Sequence, residues 1–202
     1  MSQRPPDRTG QSDRLSEIVR LYEEHGADMY AGEPVTQLEH ALQAAHFAEI
    51  AGEPDAVVAA ALLHDIGHLT HEFGEDCARE GIDDTHETSG ADWLTNQAGF
   101  GPEVTELIRL HVPAKRYLCA VDPDYLAQLS EASQLSLKLQ GGVFSSEEIR
   151  NFRNHTDFEA SVRVRGYDEQ AKQTGFSTPP LTHFLPCVAR CLAADNTSST
   201  TD

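Results

Sequence analysis

The chain has 202 residues, with 15 Lys and Arg against 33 Asp and Glu and a formal net charge of −18. That balance argues against a nucleic-acid partner and against docking on an anionic membrane, both of which need a basic face. The longest wholly apolar run, Ala56 to Leu63, falls far short of the roughly 20 residues of a spanning helix. The polar N-terminus lacks the apolar stretch of a signal peptide, so the expected location is cytoplasmic.

Residues 1–12 and 196–202, rich in Ser, Thr, Pro, Gln and Asp, read as disordered tails around a single domain over 13–195. Leu15, Ile18, Val19 and Tyr22 fall at helical spacing, with Gly26 as a stop. A second helix runs from about Thr36, with Leu38, Ala41, Leu42 and Ala45 facing inward and Gly52 closing it. Pro54 opens a third that continues through Ala56–His68. Being apolar nearly all round, it is the expected central helix. Further helices start near Asp84 or Thr85, at Gly101-Pro102 and at Asp122-Pro123, and Gly141-Gly142 breaks the segment after the last of these. Ser145-x-x-Glu148 is a capping box, and a last long helix runs from about Thr156 through Asp168. No alternating stretch bounded by turn signals occurs. The class is all-α.

Ten histidines and the acid excess supply imidazole and carboxylate, the ligand types that hold iron, manganese or zinc. His40 lies on the second helix, His64-Asp65 on the central one, His86 begins the fourth, His111 ends the fifth and Asp168 lies on the last. Inward side chains of facing helices build metal sites in this way. Burying His64 and Asp65 within AALLHDIGH is costly unless a metal or a partner compensates. The bland alternative is an Asp capping a neighbouring helix, with His64 bonded to a backbone carbonyl. Four further candidate ligands in order favour a metal.

Lys115, four after His111, and Arg165, three before Asp168, each place a cation beside a candidate ligand. Their bland readings are a helix-end pair for Lys115-Arg116 and a solvated face for Arg163 and Arg165, a reading kept for Arg163. His25, His155 and His183 read as surface residues, His46 faces away from His40, and His71 is a candidate neighbour of the ligands. Cys77, Cys119, Cys187 and Cys191 read as reduced thiols, the last two on one helix face. Gly166 costs about 1 kcal/mol within a helix and predicts a bend at Asp168.

The order H…HD…H…H…D resembles the HD-domain superfamily, largely metal-dependent phosphohydrolases. The segments Tyr30-Ala-Gly-Glu33, Gln37-Leu-Glu-His40, Leu63-His-Asp-Ile-Gly-His68, His111-Val-Pro-Ala-Lys-Arg-Tyr-Leu118, Leu129-Ser-Glu-Ala-Ser133, Leu139-Gln-Gly-Gly142 and Arg165-Gly-Tyr-Asp168 are similar to its small oxidative branch, the hydroxyphosphonate dioxygenases. The resemblance implies a helical bundle with a mixed-valent Fe(II)/Fe(III) pair in its core and no organic cofactor. It implies that His40, His64 and Asp168 hold one iron, that His86 and His111 hold the other, and that Asp65 bridges them. Tyr30 would cover the second iron at rest and Glu33 would receive the substrate's cationic end. His68 stands where many HD hydrolases carry the lysine of HDxGK, and Lys115, Ser133 and Arg165 would grip a phosphonate. The implied partners are O₂ and a small zwitterionic 1-hydroxyphosphonate with an amino or trimethylammonio group, giving glycine or glycine betaine plus phosphate. The rival is a phosphohydrolase using Mn²⁺, Mg²⁺ or Zn²⁺ in the same cage. A silent ligand-sensing module is disfavoured because no ligand is missing.

Overall fold

The computed structural model describes residues 8–30, 32–70 and 80–195. They form α1 (Arg8–His25), α2 (Gln37–Ile50), α3 (Asp55–Leu63), a 3₁₀ turn (Ile66–Leu69), α4 (His86–Trp93) and a π-helical turn (Leu94–Ala98). Then follow α5 (Pro102–Val121), α6 (Pro123–Gln128), α7 (Glu131–Leu139), α8 (Ser146–Arg153), α9 (Phe158–Gln170) and α10 (Leu181–Asp195). Among the described residues there is no strand; one isolated antiparallel bridge joins Met29 to Thr36. The all-α class holds. Among the described residues, no helix is long and apolar enough to cross a membrane.

The central position of α3 follows from its composition. Residues Val57 to Leu63 are all buried, and the helix packs on α2, α5, α9 and α10. Burying Leu62 and Leu63 contributes roughly 1.5–3 kcal/mol each. The candidate ligands stand on the inward faces of the helices around it. At the start of α2, Thr36 and Glu39 make a reciprocal capping box, which fixes the entry of the helix that carries His40.

Several boundaries differ from those read off the sequence. The first helix starts at Arg8, inside the segment assigned to a tail, while residues 196–202 lie outside the described residues. The central helix stops at Leu63 instead of continuing to His68. The chain turns at Asp65 (φ −104°, ψ 11°) and tightens into the 3₁₀ turn. Helix α5 does not end at His111; Pro113 lies within it, and it runs to Val121. Gly166 introduces no break, since α9 continues to Gln170 and a Cβ there would meet nothing. Helix α10 was not anticipated; Pro186 lies inside it and weakens its helical signature. His71 and Cys77 fall outside the described residues.

Candidate metal centre

The break after Leu63 explains how two adjacent residues can serve one site. On a continuous helix, neighbours project about 100° apart. Here His64 caps α3 and Asp65 leaves the helical path, so both side chains turn inward, with His64 0 % and Asp65 7 % exposed. The freed carbonyls at the end of α3 are satisfied locally: Ala61 accepts from His64 Nδ1 at 2.9 Å and Leu62 accepts from Tyr22 Oη at 2.7 Å. Gly67 then lets the 3₁₀ turn press against α4. A Cβ at Gly67 would stand 2.1 Å from the His86 carbonyl oxygen, and one at Gly90 would stand 2.8 Å from the Gly67 nitrogen. This approach stacks the ring of His68 on that of His86, with centroids 4.0 Å apart.

Four imidazoles converge with their tautomers set by their outer partners. Nδ1 of His40 donates to the Ala171 carbonyl at 2.9 Å, that of His64 to Ala61, and that of His111 to Ile108 at 2.7 Å. A carbonyl can only accept, so each of these Nδ1 atoms carries the proton and each Nε2 presents a lone pair. His86 Nδ1 instead faces a carboxylate, Asp84 Oδ1, at 2.9 Å. The Nε2 atoms then meet in two pairs, His40 with His64 at 3.1 Å and His86 with His111 at 3.2 Å.

Asp65 lies between the two pairs and divides its oxygens. Oδ2 is 3.4 Å from His40 Nε2 and 3.3 Å from His64 Nε2. Oδ1 is 3.3 Å from His86 Nε2 and 3.4 Å from His111 Nε2. Asp168 Oδ1 joins the first pair at 3.4 Å from His40 and 3.7 Å from His64. Among the described residues, both Asp65 oxygens and Asp168 Oδ1 are buried without a hydrogen-bond donor. Lone pairs and carboxylate oxygens thus crowd together with nothing positive between them, an arrangement that requires protons or metal ions. Donor atoms about 2.1 Å from one ion stand roughly 3.0 Å apart in an octahedron and roughly 3.4 Å in a tetrahedron. The observed separations fit two ions sharing one carboxylate.

Without metal, the charges answer one another. Burial lowers the pKa of His40 and His64, but Asp65 and Asp168 outweigh it, and His64 is pushed up to about 10. Burial raises Asp65 and Asp168, yet the surrounding imidazoles, and Arg165 beside Asp168, hold both well below the usual carboxylate range. Burial and the neighbouring imidazoles leave His111 below its ordinary value.

A cationic flank adjoins the centre. Arg165, 3 % exposed, donates from Nη1 to Asp168 and from Nη2 to Glu169, and its Nε reaches Tyr125 Oη at 2.7 Å. Lys115, 4 % exposed, donates to Ser136 Oγ at 3.0 Å. Burial, reinforced by Arg165, lowers its ammonium to about 8. Lys172 donates to Ser133 Oγ at 3.0 Å and lies 3.4 Å from Glu33 Oε1. Sequence reasoning missed Lys172, which stands just past the end of α9. Its place four after Asp168 and seven after Arg165 was the available signal. Arg116, by contrast, is a structural anchor: it bonds the Gly142 carbonyl at 2.8 Å and Glu148 at 2.9 Å, in mid-helix and away from a dipole end. Arg163 is paired with Glu53 at the surface, as expected.

The Tyr30–Glu33 turn closes over the first pair. Tyr30 N donates to the Val35 carbonyl at 2.9 Å, Glu33 N to the Tyr30 carbonyl at 2.7 Å, and Gly32 sits at φ 81°, a left-handed value that glycine adopts freely. The Tyr30 ring stacks on His40 with centroids 3.9 Å apart and meets His68 edge-on at 6.3 Å, so it lies over the first pair, where the resemblance implied cover for the second iron. Burial and the charge of Asp65 raise its phenol well above the ordinary value. Glu33 is 9 % exposed and accepts from Ser130 Oγ. Its carboxylate is therefore engaged by Ser130 and Lys172, where the sequence suggested one open to a substrate cation. His25, His155 and His183 are exposed and pair with nearby acids.

Residues 37–138 match the HD domain family. The chain is 44 % identical over 173 residues to a [1-hydroxy-2-(trimethylamino)ethyl]phosphonate dioxygenase (glycine-betaine-forming) of Leisingera caerulea, covering 86 % of this chain and 87 % of that one. It is 45 % identical over 181 residues to a hydroxymethylphosphonate dioxygenase of Gimesia maris, covering 89 % of each.

Proposed function

Since the chain belongs to the HD-domain family, we propose that it is a di-iron dioxygenase that cleaves the C–P bond of a small 1-hydroxyphosphonate. The observation that carries this reading is the shared carboxylate: one oxygen of Asp65 faces each imidazole pair, beside the buried cations Lys115 and Arg165 and the partly exposed Lys172. In this reading His40, His64 and Asp168 hold one iron, His86 and His111 the other, and Asp65 bridges them. When bound, a mixed-valent Fe(II)/Fe(III) pair supplies the redox chemistry that couples reduction of O₂ to oxidation of C1.

The chain's own residues bind and orient. Lys115, Ser133 and Arg165, joined by Lys172, offer ammonium, hydroxyl and guanidinium donors to the three phosphonate oxygens. A dianion entering this flank relieves the mutual repulsion that depresses Lys115. Tyr30 covers the first imidazole pair at rest, so substrate entry moves the Tyr30–Glu33 turn, which Gly32 permits. Glu33 exchanges its contact with Lys172 for the substrate's ammonium group, since the phosphonate claims that lysine. His68, held against the second pair, is the candidate to move a proton at the substrate hydroxyl.

The balance is RCH(OH)PO₃H₂ + O₂ → RCOOH + H₃PO₄, in which the substrate supplies all four electrons. With a trimethylammonio group at C2 the acid is glycine betaine, and with an amino group it is glycine. Both relatives are named for dioxygenase activity on hydroxyphosphonates, which favours oxygenation over hydrolysis in the same cage. The test is turnover of 1-hydroxy-2-(trimethylammonio)ethylphosphonate by iron-loaded protein with and without O₂. Phosphate and glycine betaine should form in equal amounts, and only with O₂. Phosphate release under argon would put a hydrolase in its place.

A further inference from the structure

Three of the four rings of the centre are held by one means and the fourth by another. The rings of His40, His64 and His111 are anchored through Nδ1 to backbone carbonyls, which no substitution of a side chain removes. The ring of His86 is anchored by a side chain, Asp84, whose Oδ1 stands 2.9 Å from Nδ1. The other oxygen of that carboxylate, Oδ2, lies 2.6 Å from Nδ1 of His68. Asp84 is 6 % exposed in its side chain, and the two rings that it joins are stacked at 4.0 Å. His68, His86 and Asp65 offer ligand atoms within 4.8 Å of one another.

The backbone is shaped for this contact. Thr85, between Asp84 and His86, has φ 48° and ψ 37°, and it is the non-glycine residue of positive φ among those described. A β-branched residue adopts that conformation only where its surroundings impose it. The left-handed step turns the chain sharply enough for Asp84 to fold back onto the ring two residues ahead. A histidine held by a carboxylate is also a stronger donor than one held by a carbonyl, because the partial charge passed through the ring raises the basicity of Nε2.

We infer that Asp84 is a positioning residue that fixes His86 and His68 together, so that the second metal position depends on the Asp84 side chain and the first does not. The inference rests on the two-metal reading above. It is tested by zinc titration calorimetry on metal-free full-length protein, comparing wild type with Asp84→Ala and Asp84→Asn. Wild type should take up two zinc ions per chain. Asp84→Ala should keep one site at wild-type affinity and weaken the other about 10- to 100-fold. Asp84→Asn keeps a carbonyl acceptor and should recover part of that loss, a rescue that a general folding defect would not show. Two unaltered sites in Asp84→Ala would overturn the role of Asp84 and leave the two-metal reading standing. Equal weakening of both sites would overturn the selectivity. Fewer than two zinc ions in wild type would overturn the reading and the inference with it.

Discussion

Lys115 is costly to the resting protein, and the cost can be measured. It is 4 % exposed, its Nζ bonds only Ser136 Oγ at 3.0 Å among the described residues, and Arg165 adds repulsion. Its fall from 10.5 to about 8 corresponds to roughly 3 kcal/mol of destabilisation while the ammonium is charged. Because the folded value lies below the unfolded one, this penalty is complete below about pH 8 and fades as pH rises towards 10.5. Lys115→Met nearly preserves the volume, removes the charge and forfeits a hydrogen bond of about 1 kcal/mol. The metal-free variant should therefore be about 2 kcal/mol more stable at pH 7, or about 4–8 °C in Tm for a chain of this size. The gap to wild type should close by about pH 10.5. The same variant should bind phosphonate about 10- to 150-fold more weakly, having lost a charge-assisted contact worth roughly 1.5–3 kcal/mol. Differential scanning calorimetry across pH 7–10.5, with substrate titration of the metal-loaded protein, checks both. A Tm below that of wild type at pH 7 with unchanged phosphonate affinity would refute the reasoning.

Asp65→Ala should abolish binding of both metals, since its carboxylate faces both imidazole pairs; elemental analysis showing two irons per chain would exclude bridging. Tyr30→Phe keeps the ring stacked on His40 but loses the phenol, so it should turn over while its irons oxidise faster in air without substrate, which Mössbauer spectra taken over time would show. Glu33→Gln should lose discrimination between hydroxyphosphonates with and without an ammonium group at C2, read as the ratio of their kcat/KM values. An unchanged ratio would return Glu33 to a purely structural partnership with Ser130 and Lys172.

Much of this arrangement was legible because the ligand-bearing helices carry strong local signals. The apolar run Ala56–Leu63 marked the central helix, and the histidines and aspartates on its neighbours then had to face inward. What the sequence hid were places where tertiary contacts override local propensity. Pro113 and Pro186 both lie inside helices whose packing compensates for the lost backbone bond, so the fifth helix runs on past His111 and the tenth carries a weak helical signature. The end of α3 at Leu63 was hidden because His64 and Asp65 continue the helical spacing; the break becomes clear only when Gly67 is seen against the backbone of His86. Asp84 read as a helix start, and its true partners are rings that a linear reading does not bring together. Lys172 escaped notice because it lies beyond the last turn of α9, where its spacing of four from Asp168 and seven from Arg165 is a weaker guide than within the helix.

We propose that two irons share Asp65 in the core of this bundle and meet the substrate as a pair. Electron paramagnetic resonance of the iron-loaded protein, recorded before and after adding 1-hydroxy-2-(trimethylammonio)ethylphosphonate, tests it most directly. Two such irons should give the signal of a coupled Fe(II)/Fe(III) pair, perturbed by substrate and integrating to about one spin per two irons. An isolated high-spin ferric signal, unchanged by the phosphonate, would contradict it.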